Sequence, residues 1–303
     1  MVDQLAQEYD GQPVVFLEYD VDEGFYSRSS RWWAAFSGGQ AILPLVMVDS
    51  GNHISNGYVD FYNVYKAMVD ASLIRLPQAE IEAYAWRNGN KVAFYVQVKN
   101  LTDVTLSSSS NSATVHGIVY EDIHVGVTDR YVRSAISTNI PSLAPNNTAT
   151  FILGTSDLDG VNWENLHYIV LVDYIPPESL GAYDMLEAVR ADSIPLPFDV
   201  QPNPLSFFID PEDPPNPSGL LNIHGANFLY WSAIENTPWL TISPTNGSIE
   251  TPPIVTIDTA MLSPGVQQGV ITFTTDDSYF TQDVTVRAYY GPVKHAYLPL
   301  INR

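Results

Sequence analysis

Hydrophobic and polar positions change their period along the chain, and these changes divide it into segments. In residues 1–77, apolar positions at helical spacings alternate with short extended runs. In residues 78–195 they recur at every second position, which is typical of half-buried strands. The strand pattern returns in residues 205–292, after a proline-rich stretch at 196–204 that we interpret as a linker, and a tail at 293–303 follows. The pattern predicts one α/β domain and two all-β domains.

The first segment is predicted to contain three helices and two strands. The helices are expected over Asp3–Tyr9, Ser29–Phe36 and Asp60–Leu73, and the strands over Pro13–Tyr19 and Leu45–Val48. In the last helix the apolar side chains recur three and four residues apart, so one face should pack against a core.

Residues 78–195 and residues 205–292 each show the pattern of a β-sandwich built from short strands. Asn88-Gly89 lies between two alternating runs, which is a strong signal for a hairpin. Further strands are predicted at ATVHGIVYED, RYVRSAIS, TATFILGT and LHYIVLVDY, and later at LLNIHG, YWSAIE, WLTIS, PIVTIDT, GVITFTT and QDVTVRAYY. The expected folds are a β-sandwich and a smaller immunoglobulin-like β-sandwich.

Composition narrows the classes of function. The chain has 13 basic and 34 acidic residues and a formal net charge of -21. Because this charge repels phosphate backbones, nucleic acid is not expected as a partner. The absence of cysteine excludes disulfides, thiolate metal sites and cysteine nucleophiles within these residues. No apolar run reaches the roughly 18 residues of a membrane-spanning helix, and no signal peptide is expected at Met1.

The runs PVVFLEYDVDEG and AILPLVMVDSGN, with a helix between them, give residues 1–77 an order that resembles the second part of a thioredoxin fold. In that family a cis-proline precedes the next strand, so the resemblance implies a cis peptide bond at Pro44. It also implies a Cys-x-x-Cys motif and a central strand between Val14–Tyr19 and Leu45–Val48, and the chain lacks both. We therefore interpret this segment as an incomplete thioredoxin-like domain.

Two further resemblances concern the β segments. The runs IEAYAWRNGNKVAFYVQVKN, YVRSAI and WENLHYIVLVDY resemble the companion domain of secreted bacterial thioredoxin-like proteins of the Omp28 type. The runs NPLSFFID, TPWLTISPTNGSI and LSPGVQQGVITFTT resemble a BACON-type immunoglobulin-like module. Such modules occur in extracellular bacterial proteins and have been proposed to bind carbohydrate or glycoprotein. The resemblance implies a location outside the cell or at its surface, with a glycan or a protein as partner.

A loop in the second segment supplies the candidate metal site. Asp157, Asp159 and Asn162 place oxygen atoms at alternating positions around Gly160, an arrangement that a Ca²⁺ ion prefers. The bidentate glutamate of an EF-hand loop is missing, and a plain polar loop explains the same residues. Calcium is the one cofactor left open, and no other is expected.

No catalytic motif is recognised. Gly-x-Ser-x-Gly, His-Glu-x-x-His and phosphate-binding glycine loops are all absent from the sequence. His116 and His124 bracket Glu121 and Asp122, and these histidines are the pair that would converge on a metal or act as acid and base. Exposure at strand ends is the favoured interpretation.

Aromatic pairs are the candidate ligand contacts. Trp32 and Trp33 lie on a predicted helix, where packing against a core or a neighbouring domain is favoured over stacking on a sugar. Tyr230 and Trp231 are the candidate ligand-binding residues, with both rings expected at the surface. Tyr289-Tyr290 adds aromatic surface near the end of the chain.

Three hypotheses of function follow. The leading one is a non-catalytic extracellular or cell-surface protein that binds, adheres or takes part in an assembly. The competing one is the C-terminal portion of a thiol-disulfide oxidoreductase whose redox motif lies upstream. In the third, unpaired strand edges beside Val15 and Val46 accept a strand from a second copy, which predicts self-association.

Overall fold

The computed structural model describes residues 2–19, 32, 33, 35, 42–57, 61–126, 128–212, 216–276 and 278–292. The chain divides into two compact units, an N-terminal unit of residues 1–195 and a C-terminal unit of residues 196–303. Both are mainly β-sheet. The predicted first and second domains therefore form one compact unit. No described helix is long and apolar enough to cross a membrane.

The N-terminal unit begins with helices and short strands and continues as a series of longer strands. Its helices are α1 (Val2–Glu8), α2 (Phe61–Leu73) and α3 (Ser108–Asn111). Its strands are β1 (Leu45–Val48), β2 (His53–Asn56), β3 (Ala79–Asn88), β4 (Lys91–Asn100), β5 (Thr114–Val125), β6 (Thr128–Asn139), β7 (Thr148–Gly154), β8 (Leu166–Tyr174), β9 (Asp184–Arg190) and β10 (Asp192–Ser193).

Two four-stranded sheets form the sandwich of this unit. Their strand orders are β10-β3-β4-β7 and β6-β5-β8-β9. The β3–β4 hairpin turns at Gly89, whose φ of +64° is the left-handed conformation that glycine adopts without strain. The sheets approach closely at Gly117 on β5, where an added Cβ would lie 3.1 Å from the Phe94 ring on β4. The predicted β-sandwich is confirmed.

The β6-β5-β8-β9 sheet is buried on both faces. Its inner face carries Val119 and Val170 into the sandwich core. Its outer face carries Ile118, Ile169 and Leu171 into a second core. Strands covered on both faces read as continuous apolar runs, which explains why LHYIVLVDY on β8 shows little alternation.

The N-terminal segment forms the layer over that outer face. Val15, Leu17 and Tyr19 pack against the sheet, while Val14 and Phe16 turn the other way and pack with α1 and α2. An extended segment with alternating side chains can bury both faces in this way. Residues 14–19 therefore join the helices to the sandwich.

The predicted strand Pro13–Tyr19 forms only one β-bridge among the described residues. Glu18 pairs in parallel with Tyr131 on β6, and residues 14–17 are extended without a ladder. Within the same described residues, β1 pairs only with β2. Of the predicted helix Ser29–Phe36, the structure describes Trp32, Trp33 and Ala35, all helical, and the remainder lies outside the described residues.

The C-terminal unit is built from short strands. These are β11 (Phe198–Gln201), β12 (Leu205–Ile209), β13 (Ser218–Leu220), β14 (Asn222–Gly225), β15 (Tyr230–Glu235), β16 (Leu240–Ser243), β17 (Asn246–Ser248), β18 (Ile254–Ile257), β19 (Gly265–Thr275) and β20 (Thr281–Tyr290). The sheets have the orders β12-β20-β19-β15-β17, β13-β18-β16 and β11-β14. Gly219 on β13 lies against Phe207 on β12, since an added Cβ would be 3.0 Å from the ring. The larger sheets thus face each other as a sandwich.

The interpretation of residues 196–204 as a linker is wrong. Residues 198–201 form β11, which pairs with β14 inside the C-terminal unit. Phe198 and Val200 are buried, so this short stretch has the alternation of a strand. The prolines flank the strand rather than interrupt it, as expected where a ladder donor is needed.

Candidate functional site

The structure places Pro44 at an exposed turn before β1. The Leu43–Pro44 peptide bond is cis, and the Pro44 carbonyl accepts a hydrogen bond from the Gly57 amide at 3.3 Å. Leu43 is exposed as well. No thiol lies here, since the chain has no cysteine.

Of the three predicted calcium ligands, one makes a hydrogen bond within its own loop and the two aspartates are exposed to solvent. The Asn162 side-chain oxygen accepts the Glu164 amide at 3.2 Å, which caps a short 3-10 turn. Asp157 and Asp159 are exposed. Among the described residues, no group of three or more histidines and carboxylates is arranged to hold a metal ion. The plain-loop interpretation accounts for these contacts.

The two histidines and two carboxylates on β5 contact separate partners. His124 contacts Asp129 at 2.7 Å, and the Asp122 carboxylate meets His167 at 2.9 Å. The Glu121 carboxylate accepts from Arg133 at 2.6 Å and from the Asn162 amide at 2.8 Å. His116 contacts the Asp173 carboxylate on β8. The structure does not bring His116 and His124 together, because each makes its contact with a different acid.

A buried polar cluster fastens the N-terminal layer to the sandwich. Asp173 on β8 is fully buried. One of its oxygens accepts the Trp32 indole N–H at 2.8 Å, and the other lies 2.9 Å from His116 Nε2. Trp33 is buried too. The packing role favoured for both tryptophans agrees with their burial.

A second polar cluster joins α2 to β9 in the same unit. Arg75 donates to Asp49 and to Asp184, each at 2.7 Å. Asn52 donates to Asp184 at 3.1 Å, and Ser72 donates to Asp49. Burial raises the pKa of the Asp184 carboxyl, although Arg75 opposes this shift. Both acids are satisfied by neighbours within the fold, so this cluster is structural.

Glu187→Gln should flatten the pH dependence of stability of the N-terminal unit. Burial is the main cause that raises the pKa of this carboxyl. A raised folded-state pKa means that stability is lost as pH rises through it, because the ionised form is the costly one. Glutamine stays neutral, so the loss in urea stability between about pH 4 and pH 7 should shrink by less than about 1 kcal/mol, given the partial exposure. Exposed Glu164→Gln is the matched control, and an equal change there would contradict the burial argument.

The two candidate ligand-binding residues on β15 point to opposite faces of their sheet. Tyr230 is 59% exposed, whereas Trp231 is 0% exposed. The Trp231 indole donates to the Ser248 carbonyl at 2.7 Å, and its ring lies 5.5 Å from that of Phe273. The prediction that Trp231 lies at the surface is wrong, because adjacent strand residues alternate and its neighbour takes the outer position.

The outer face of the five-stranded sheet carries an aromatic row, which we call the Phe208–Tyr289 row, in which Phe208 is exposed and Tyr289 is half-buried. Phe208 on β12 lies beside Tyr289 on β20, and Tyr289 lies opposite Val266 on β19. The rings of Phe208 and Tyr289 are parallel within 9°, with centroids 4.7 Å apart. Phe208 is 72% exposed and Val266 is 66% exposed. The grouping of large apolar side chains on a solvated sheet face makes this row the candidate binding surface.

Polar side chains form the next row on the same face. Arg287 lies beside Ser206 and opposite Gln268. No hydrogen bond or ion pair joins Arg287 to another described residue. The face thus combines two aromatic rings that stack on each other with planar donor groups about two strand positions away.

Strand alternation alone was sufficient to find Phe208. The run LSFFI places Leu205, Phe207 and Ile209 inward, so Phe208 must point outward. Aromatic surface was predicted at Tyr289-Tyr290 but not at Phe208. The pairing of Phe208 with Tyr289 depends on the parallel contact of β12 with β20, which sequence periodicity does not reveal.

Comparisons with known proteins yield low-scoring structural likenesses. No protein-family model matches the chain, and no curated protein matches it. A domain of the outer membrane lipoprotein Omp28 from Porphyromonas gingivalis is 17% identical, covers 40% of this chain and 93% of its own, and has a TM-score of 0.27. The sialic acid binding region of a Streptococcus sanguinis adhesin, bound to 3'sLn, is 10% identical over 71% of this chain and 78% of its own, with a TM-score of 0.26. At these values neither likeness carries an argument about function.

Proposed function

We propose that this chain is a non-catalytic protein of the cell surface or extracellular space, and that its C-terminal unit binds glycan through the Phe208–Tyr289 row. The observation that carries the proposal is the exposure of Phe208 on a sheet face whose other side is fully packed. Strand residues 205, 207 and 209 already fill the core, so fold stability does not require a phenylalanine at the outer position.

The chemistry of the row favours a sugar over an extended peptide. Aromatic rings offer an apolar face on which the C–H side of a pyranose stacks. Arg287 and Gln268 lie beside that face and offer planar donors for ring hydroxyls or a sugar carboxylate. A peptide strand added to this sheet would pair with the backbone of its terminal strand β12, whereas the Phe208 and Tyr289 rings project from the face of the sheet, where a ligand meets side chains rather than backbone.

The non-catalytic part of the proposal rests on how the polar side chains are used. The buried acids Glu121, Asp173 and Asp184 each contact side chains that fasten parts of the fold together. The competing oxidoreductase hypothesis needs thiols, and these 303 residues contain none. The proposed location rests on the sequence resemblances to Omp28-type and BACON-type proteins.

Phe208→Ser and Tyr289→Ser should each weaken glycan binding by about tenfold or more, because each removes an aromatic stacking surface. A glycan array with wild-type protein identifies the sugar, and calorimetry then measures the dissociation constant for each variant. Ile234→Ser is the matched control, since Ile234 is a comparably exposed apolar residue on the same sheet face and lies away from the row.

Two results would count against this function. A blank array with folded wild-type protein would remove glycan as the ligand. Equal losses in Ile234→Ser and Phe208→Ser would show that general surface polarity, rather than the aromatic row, controls binding. Tyr230→Ser tests the remaining candidate at the far end of the face and should change the affinity by less than about threefold.

A further inference from the structure

Strand β7 is a terminal strand of the β10-β3-β4-β7 sheet and pairs on one side only, with β4. The Thr155 amide donates to the Val92 carbonyl at 2.9 Å, and the Asn100 amide donates to the Asn147 carbonyl at 3.0 Å, so both ends of this ladder are fixed. Backbone groups alternate in direction along an antiparallel strand. The amides and carbonyls at positions 149, 151 and 153 therefore face β4, and those at 148, 150, 152 and 154 point away from the sheet.

The outward backbone groups of β7 meet no other part of the described chain. Among the described residues, no hydrogen bond beyond the β4 ladder involves Thr148, Thr150, Ile152 or Gly154. Thr148 and Ile152 are exposed, and a Cβ added at Gly154 would meet no atom within 4 Å. A row of unpaired backbone groups in open space is a template for another strand.

The other terminal strands of the two sheets in this unit carry features that discourage pairing. Strand β6 carries Asp129, Arg130 and Arg133, and its Arg130 carbonyl accepts the Glu18 amide at 3.1 Å. The β8–β9 pairing has a register shift, and β10 has only 2 residues. Charges, bulges and short strands are the usual protection of a sheet edge. Strand β7 reads TATFILG and has no charge, no proline and no register shift.

A second copy of the same strand fits this edge. Consider the antiparallel register centred on Phe151, in which Thr150 pairs with Ile152 of the second copy and Thr148 pairs with Gly154. Each outward amide then faces a carbonyl of the other copy, because these positions form the hydrogen-bonded pairs of the new ladder. All 7 residues of the strand overlap, and about eight hydrogen bonds form across the two-fold axis.

Side chains and charge favour the same strand as the occupant. On the inner face Ala149 lies opposite Leu153, so a small side chain meets a large one, and Phe151 lies opposite its equivalent. The formal net charge of -21 makes most surfaces of two copies repel each other, whereas this ladder contains no charged side chain. We propose that two copies of this chain associate through β7, antiparallel across a two-fold axis, and join their four-stranded sheets into one.

This interface differs from the strand edges predicted beside Val15 and Val46, and its argument is independent of the glycan proposal. Sedimentation velocity of the full chain should show a reversible equilibrium of monomer and dimer, half-dimeric at about 10 to 300 μM, as expected for a small interface. Raising the salt from about 50 mM to about 500 mM should strengthen the dimer by about threefold or more, because salt screens the repulsion between two acidic copies.

Two substitutions on β7 test the interface. Ile152→Lys should weaken dimerisation by about tenfold or more, because it places two lysines at neighbouring positions of the joined sheet. Thr150→Pro should have a similar effect, since proline removes an outward amide and leaves the β4 ladder intact. Ile234→Lys is the matched control, because it makes the same change at an exposed isoleucine of the C-terminal unit. It should leave dimerisation unchanged.

Amide hydrogen exchange measured by NMR distinguishes strand pairing from any other dimer. The Thr150 and Ile152 amides should gain about tenfold or more in protection as the concentration rises from about 10 μM to about 500 μM. The Phe151 and Leu153 amides face β4 and should be protected at both concentrations. Protected β4 amides in the two β7 variants confirm that they stay folded.

Three results would overturn the proposal. The first is a chain that stays monomeric up to about 500 μM. The second is a dimer that Ile152→Lys and Thr150→Pro leave unchanged, and the third is a dimer in which the Thr150 and Ile152 amides exchange as fast as in the monomer. None of these results bears on glycan binding by the Phe208–Tyr289 row, so the two proposals fail separately.

Discussion

Trp231→Ala should lower the unfolding free energy of the C-terminal unit by about 4 kcal/mol. The indole is completely buried, contacts the Phe273 ring and donates to the Ser248 carbonyl. Alanine leaves a cavity the size of most of an indole and removes the donor to that carbonyl. Truncation of a large core residue costs both the transfer free energy and the cavity.

The neighbouring residue provides the control for this prediction. Tyr230→Ala removes a large ring one position along the same strand, but that ring is mostly in solvent, so the cost should stay below about 1 kcal/mol. Urea unfolding with hydrogen-exchange mass spectrometry assigns the loss to peptides from β12, β15, β19 and β20. If Trp231→Ala kept full stability and lost ligand binding instead, the indole would be a surface platform after all.

Asp173→Ala should destabilise the N-terminal unit by about 3 kcal/mol. Its carboxylate accepts the Trp32 indole and contacts His116, and none of it reaches solvent. Alanine removes the acceptor from both groups inside the fold. The loss should appear as faster exchange in β5 and β8 and in the helical layer, while the C-terminal unit keeps its protection.

The exposed Asp157 gives the matching control for Asp173. Asp157→Ala changes the net charge equally but removes a side chain from a solvated loop, so its cost should stay within about 0.5 kcal/mol. A comparable loss in both variants would show that net charge, rather than the buried contacts, determines the effect.

Sequence periodicity predicts local structure well and long-range placement poorly in this chain. The strands at β3, β4, β15, β19 and β20 follow directly from alternation and turn residues, and the helix at α2 follows from its apolar stripe. The resemblance to thioredoxins drew attention to an incomplete α/β domain, yet the described β1 pairs only with β2. Periodicity cannot report which sheet a segment packs on, so the merger of residues 1–77 with the sandwich was not foreseen.

The candidate sites also differ in whether a local sequence pattern or only the tertiary fold reveals them. Alternation alone separates Phe208 and Tyr230, which lie outside, from Trp231, which lies inside. The Trp32–Asp173 and Arg75–Asp184 contacts required the full fold, because the two partners of each contact come from widely separated parts of the chain. Partners for charged groups are set by tertiary packing, and no local pattern in the sequence marks an arginine that stays unpaired.

The layered N-terminal unit also has a consequence for synthesis on the ribosome. Trp32 finds its acceptor at Asp173, which is 141 residues later in the chain, and Arg75 reaches Asp184, which is 109 residues later. At 5–20 residues per second, the apolar side chains of the first layer remain without their sheet for roughly 5 to 30 s after they are synthesised. The nascent N-terminal segment is therefore the part of the chain for which a holding chaperone has the longest interval to act.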